Sequence, residues 1–250
     1  MPDRYATAAE IEEAMRAVAI PDARFGCDFT RFIPGFPGAD AAAALLAAEP
    51  AYRDARSIFV TPDNGLIPFR ARALADGKTL VLPSYGLHRG FLVVEGGTVP
   101  PDDALYAAWL DGLDHFGREI SLGELRARDR FDLVVTGASA ITPAGQRFGM
   151  GHAYLDLEWG ILDALDAVSQ ATPVAAIVHD LQFTDLLFEI ADTDVLADLI
   201  ATPTRLVRTV PRPRPSGLRW DLIDPDIAAA PAFADLPDIL DRRFRAEMKS

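Results

Sequence analysis

The chain has 250 residues, half of them hydrophobic and 24% charged, with 18 Gly and 19 Pro; this composition suits a globular protein with a large core and excludes disordered, collagen-like and low-complexity chains. The net charge of −13 has the wrong sign for binding nucleic acid through its phosphates or for docking on an anionic membrane. A single cysteine, Cys27, excludes an intramolecular disulfide and a cysteine-rich zinc site. The acidic N-terminus does not read as a secretory signal and no run approaches the ~18 apolar residues of a membrane span, so a cytoplasmic protein is expected.

In chain order, residues 8–19 place Ile11, Ala14, Met15 and Val18 at helical spacing and predict an amphipathic helix. Cys27, between Phe25 and Phe29, reads as a small buried hydrophobe rather than a nucleophile. Residues 31–38 form a Pro/Gly loop, after which Asp40 is the expected N-cap of a helix over 41–48. A strand is predicted over 57–60, a turn over 61–65, and a helix over 68–75 stopped by Gly77. Strands follow at 79–82 and 91–94, a helix at 104–116, and a strand at 131–135 that enters Gly137-Ala-Ser139. The pattern continues with a helix over 155–168, a strand over 173–178 and a short strand over 198–201. Short apolar strands alternating with helices predict an α/β domain of three layers with a mostly parallel, buried sheet. Residues 210–217 alternate Pro and Arg and should be extended and solvated. They divide a domain over 1–209 from a C-terminal appendage over 210–250, in which 235–248 predict a helix.

The segment Thr142-Pro-Ala-Gly-Gln-Arg-Phe-Gly-Met-Gly-His-Ala-Tyr-Leu-Asp156 joins a strand to a helix. Gly145, Gly149 and Gly151 let backbone approach an anion closely enough to offer it several N–H groups. Arg147 adds a guanidinium fork matched to phosphate, and Asp156 suits Mg²⁺, which takes one or two carboxylates beside phosphate and water. No GK[ST] follows and the spacing is not the dinucleotide register, so neither familiar phosphate loop applies. The competing reading is a structural loop with a helix cap. At the end of a strand, His179 could act as a base and Gln182 could read a heterocycle, against a strand end capped by Asp180. Asp192, Asp194 and Asp198 offer either a second metal ligand or a solvated turn.

These pieces occur in one order with Arg31-Phe-Ile-Pro-Gly-Phe-Pro-Gly-Ala-Asp40, Pro62-Asp63, Pro68-Phe-Arg70, Leu74-Ala-Asp-Gly-Lys78 and Thr202-Pro-Thr204. Together they resemble the 5-formyltetrahydrofolate cyclo-ligase family, most of all its branch of methenyltetrahydrofolate synthetase domain-containing paralogues. The resemblance implies a fold of the type shared by ribose-phosphate isomerases and CoA transferases. It also implies ATP-driven closure of 5-formyltetrahydrofolate to 5,10-methenyltetrahydrofolate: the formyl oxygen takes the γ-phosphoryl group of MgATP, the neighbouring ring nitrogen attacks, and phosphate leaves. It assigns Gly145, Arg147, Gly149, Met150, Gly151 and His152 to ATP, and Tyr154, His152 and Arg147 to catalysis. Asp156 and Asp194 would hold Mg²⁺. Asp63, Tyr154, His179 and Gln182 would meet the folate, Asp63 standing where the family places a carboxylate on the pterin. Met150 and His152 occupy positions where family members carry basic residues. Two further readings therefore stay open: a related enzyme acting on another small carboxylated or formylated substrate with His152 as base, and a non-catalytic folate- or nucleotide-binding protein. Arg31, Arg70, Arg72 and Arg147 are the arginines near these motifs that could build a cationic pocket, and a homo-oligomer is compatible with the fold.

Overall fold

The computed structural model describes residues 4–29, 31–84, 87–148, 154–186, 188–218 and 230–238, the side chains of residues 4 and 5 excepted. Helix α1 (Arg4–Met15) lies one turn N-terminal of its predicted span; Met15 is buried, Ile11 and Val18 pack at the margin of the core, and Ala14 is exposed. In α2 (Ala39–Ala47) the N-cap is Gly38, and Asp40 sits inside the first turn, where its charge still favours the helix dipole. The short α3 (Pro50–Arg53) leads into β1 (Ser57–Val60), α4 (Ile67–Ala75), β2 (Thr79–Pro83) and β3 (Phe91–Val94).

The helix expected over 104–116 is two, α5 (Ala104–Ala107) and α6 (Leu110–Phe116), because Trp109 is extended at φ −78°, ψ 156°. The Ala108 carbonyl accepts a hydrogen bond from Arg70 Nε at 2.9 Å, so a buried guanidinium takes the acceptor that a continuous helix would use. Next come β4 (Arg118–Ile120) and α7 (Leu122–Arg126), which the sequence reading did not anticipate. A Ser121/Glu124 capping box starts α7. Strand β5 (Leu133–Thr136) is followed by a two-stranded hairpin, β6 (Ala140–Ile141) and β7 (Arg147–Phe148), then α8 (Tyr154–Ala164), β8 (Val174–Ile177), β9 (Leu199–Ala201) and β10 (Leu206–Arg208).

The main sheet runs β10-β9-β8-β5-β1-β2-β3-β4. Strands β9, β8, β5, β1 and β2 are parallel; β10 joins one edge and β3 and β4 the other in antiparallel pairing. Side chains alternate between the faces, as a strand period of two requires. Ile58, Val60, Leu133 and Val135 pack with α2, α4 and α5, whereas Phe59, Val81 and Val134 pack with α7 and α8. Helices thus cover both faces of a mostly parallel sheet, the three-layer α/β class. From β1 the chain adds β2 on one side and, later, β5 on the other. This reversal makes the carboxyl ends of β1 and β5 the topological switch point, the place at which open α/β sheets bind ligands in a crevice.

The Pro/Arg segment is docked rather than fully solvated. Arg214 is buried, its backbone N–H donates to Gln170 Oε1 at 2.8 Å, and its guanidinium binds Asp198 and the Leu196 carbonyl. Trp159 Nε1 of α8 donates to the Pro215 carbonyl at 3.1 Å. Further on, Phe233 and Leu236 enter the core layer under α8. Most of the helix predicted over 235–248 lies outside the described residues.

Candidate active site

The carboxyl end of β1 runs straight into Thr61-Pro62-Asp63. Asp63 Oδ2 accepts hydrogen bonds from Thr61 Oγ1 at 2.5 Å and from the Gly137 amide at 2.9 Å, joining the ends of β1 and β5 across the crevice. Residue 137 must be glycine for this approach, since a Cβ there would lie 2.9 Å from Asp63 Oδ2. Burial pushes the Asp63 carboxyl up, opposed by those hydrogen bonds and by the charges of Arg70 and Arg147. Arg70 is fully buried, and its Nη1 holds the Thr61 and Asp63 carbonyls at 3.1 and 2.9 Å. It therefore shapes the turn that presents Asp63 and does not line an open pocket. Arg31 stacks on Phe25 and Arg72 is exposed, so of the four arginines near the motifs it is Arg147 that enters the site as a cation.

Arg147 lies in β7. Its Nη2 pairs with Asp156 Oδ1 at 2.7 Å and its Nε donates to the Val195 carbonyl at 2.9 Å. The Val195 amide also donates to Asp156 Oδ1 at 2.9 Å, so the motif arginine, the first turn of α8 and the segment before β9 are locked together. Gly145 is used by the turn of the hairpin. Its φ is +81°, its amide donates to the Thr142 carbonyl rather than to an anion, and a Cβ would lie 2.1 Å from the Ala197 carbonyl oxygen. Asp194 Oδ2 accepts from Gln146 Nε2 at 3.3 Å and from the Ala191 amide at 2.9 Å. Burial raises the Asp156 carboxyl, Arg147 opposes this, and the charge of Asp194 adds to the rise. Asp156 and Asp194 are thus close enough to feel each other. Among the described residues no group of three or more His, Cys, Asp or Glu is arranged to hold a metal ion. A pair of carboxylates fits a magnesium ion that draws its remaining ligands from phosphate and water.

Sequence reading missed Glu158. It lies on the core side of α8 with Leu155, Trp159 and Leu162, is 2% exposed, and its Oε2 has no hydrogen-bond partner. Burial pushes its carboxyl up to about 8; the charges of Asp63 and Asp156 add to this and Arg147 opposes it. The available signal was a glutamate at a core position of an otherwise apolar helix face. Glu12 of α1 was also missed: it is hydrogen-bonded to Ser139 beyond the end of β5, and burial raises its carboxyl.

His179 and Gln182 lie at the carboxyl end of β8, as expected, but their contacts are to the protein itself. His179 Nδ1 accepts from the Leu181 amide at 3.2 Å, and its ring meets Phe36 edge-on at 5.5 Å. Gln182 Oε1 accepts from the His179 amide at 2.7 Å, and its Nε2 donates to the Ala138 carbonyl at 2.5 Å, fixing the loop beside Gly137. Asp180 accepts the hydroxyls of Thr202 and Thr204, each at 2.6 Å. Tyr154 opens α8 and is half-buried. Gly149, Met150, Gly151 and His152 lie outside the described residues. Among those that are described, no helix is long and apolar enough to cross a membrane.

The sequence profile of the 5-formyltetrahydrofolate cyclo-ligase family matches residues 8–203. Methenyltetrahydrofolate synthase domain-containing proteins of Bos taurus, Mus musculus and Homo sapiens are 37%, 36% and 34% identical over 199, 197 and 194 residues, covering 76%, 76% and 75% of this chain. Those matches take in 50%, 52% and 49% of the relatives, so the chain spans about half their length. Among solved structures, the 5,10-methenyltetrahydrofolate synthetases of Aquifex aeolicus and Mycoplasma pneumoniae align with TM-scores of 0.48 and 0.46 at 14% and 13% identity. They cover 82% and 80% of this chain and 92% and 98% of their own.

Proposed function

The chain belongs to the 5-formyltetrahydrofolate cyclo-ligase family, and on that premise we propose that it closes 5-formyltetrahydrofolate to 5,10-methenyltetrahydrofolate at the expense of ATP. The observation that supports this reading is the convergence of Asp63, at the crevice between β1 and β5, with the Arg147–Asp156 pair, whose charges bear on one another. When bound, MgATP supplies the phosphoryl group that turns the formyl oxygen into a leaving group. The chain's own part is positioning and charge balance, which suffice for such a reaction. Asp156 and Asp194 are the carboxylates for Mg²⁺, and Arg147, already held between Val195 and Asp156, is the cation for phosphate oxygens. Asp63 faces the pterin. Tyr154, with His152 two positions earlier in the sequence, attends the formyl group. Gln182 holds the loop at Ala138 that borders the crevice, with its Oε1 accepting from the His179 amide.

Incubation of the purified chain with 5-formyltetrahydrofolate, ATP and Mg²⁺ should generate the methenyl chromophore only when ATP is present. No chromophore at any ATP concentration refutes the reaction. Binding without turnover draws support from one observation, the engagement of Arg147 by Asp156 and the Val195 carbonyl; it predicts saturable binding of 5-formyltetrahydrofolate with no chromophore.

A further inference from the structure

Glu158 is a buried acid at a position where α8 otherwise presents Leu155, Trp159 and Leu162 to the core. Among its neighbours in the site, the carboxylates and Arg147 have partners, while Arg70 leaves Nη2 without one. Asp63 Oδ2 takes two donors, Asp156 Oδ1 takes two, and Arg147 uses both Nε and Nη2. Glu158 Oε2 takes none. A buried polar atom without a partner is costly, and such atoms in native proteins call for an explanation, a bound ligand group or water among them. The charges bearing on Glu158 are Asp63, Asp156 and Arg147, so it belongs to the electrostatic neighbourhood of the crevice. Two carboxyls, on α8 and at the end of β1, together with one arginine already paired, complement a ligand edge that donates hydrogen bonds.

We propose that Glu158 is a ligand-binding residue whose Oε2 accepts an N–H of a nitrogen heterocycle bound between α8 and the ends of β1 and β5, with Asp63 holding the same ring from the sheet side. The inference rests on the folate reading above and assigns the reduced pterin ring as that heterocycle. A purely structural Glu158 would stabilise the fold. A ligand-binding Glu158 weakens the empty protein, because its cost is recovered only when ligand is bound.

Glu158→Met and Glu158→Gln separate the two. Thermal unfolding at pH 7.5 and calorimetric titration with 5-formyltetrahydrofolate, and separately with MgATP, are the measurements. Glu158→Met should unfold at a higher temperature than the wild type and bind 5-formyltetrahydrofolate about tenfold more weakly, with MgATP affinity unchanged. Glu158→Gln keeps an acceptor oxygen and should retain affinity within about threefold. A lowered unfolding temperature in Glu158→Met, or unchanged affinity for 5-formyltetrahydrofolate, overturns the inference while leaving the proposed reaction standing. A wild-type protein that binds no 5-formyltetrahydrofolate overturns both.

Discussion

Two aspartates bridge the same pair of strands from opposite ends. At the amino ends of β1 and β5, Asp132 Oδ2 accepts from the amides of Arg56 and Ser57 at 2.8 and 2.9 Å, and its residue is exposed. At the carboxyl ends, Asp63 joins Thr61 to Gly137, and burial raises its carboxyl. Asp198 repeats the first arrangement between β9 and β8, accepting from the Val174 amide at 2.8 Å and pairing with Arg214. The bonding pattern is nearly the same at both ends, so bridging by itself does not make a site. What distinguishes Asp63 is the company of Asp156, Arg147 and Glu158 in a place that water reaches poorly. Parallel strands put their crossover loops, and hence this cluster, at the carboxyl end.

The largest effect should come from Asp156→Asn, which keeps an acceptor for the Val195 amide but removes the charge opposite Arg147. If the proposed ring closure is this chain's reaction, its kcat should fall by about 10²–10³, the scale for losing one preorganised electrostatic group. Asp198→Asn, as its amino-end counterpart, should leave that rate unchanged; steady-state assays of the two variants decide whether the ends differ as described. A second effect concerns pH. Glu158 holds its proton up to about 8 in the fold against an ordinary value of 4.5. The native state therefore binds more protons than the unfolded chain between those values. The resulting stabilisation is complete below about 4.5 and is lost as the pH rises to about 8, by up to ~1.4 kcal/mol per unit. Denaturant titrations across this range should show a shallower slope in Glu158→Gln, and an unchanged slope would place the proton elsewhere. The smallest effect tests the paired bridges. Asp132→Ala should cost about 1–2 kcal/mol of stability, the net worth of its two hydrogen bonds, and leave ligand affinity alone. Asp63→Asn should do the reverse, weakening 5-formyltetrahydrofolate binding about tenfold with little loss of stability. Equal behaviour of the two variants would erase the distinction between the ends.

Strands β1 and β3 match their sequence-predicted bounds because short apolar runs between turn signals can do little else than span a buried sheet. The Ser121-x-x-Glu124 box that starts α7 was visible but unread. The break between α5 and α6 was not visible, since it depends on Arg70 reaching Ala108 from another helix. α8 ends at Ala164 rather than at 168, and Asp166 beyond it adopts a left-handed φ of 60°. In the site, the ordered motifs picked out Asp63, Arg147, Asp156 and Asp194, each of which the fold places near the crevice or in the lock beside it. They also picked out His179 and Gln182, whose side chains serve the local backbone. A motif does not by itself say whether its residues touch a ligand or hold a loop.

The sequence alone determined the α/β class, the alternation of faces and the family, because these follow from periodicity and from ordered local motifs that survive in one dimension. Tertiary structure decided the rest. It pairs Arg147 with Asp156 and buries Arg70 beneath the Asp63 turn. It folds the Pro/Arg segment back against α8, where Arg214 finds Asp198. It also leaves Oε2 of the buried Glu158 without a hydrogen-bond partner. Each of these outcomes depends on desolvation and on charges brought close by elements distant in the chain, and neither is encoded in the identity of a single residue.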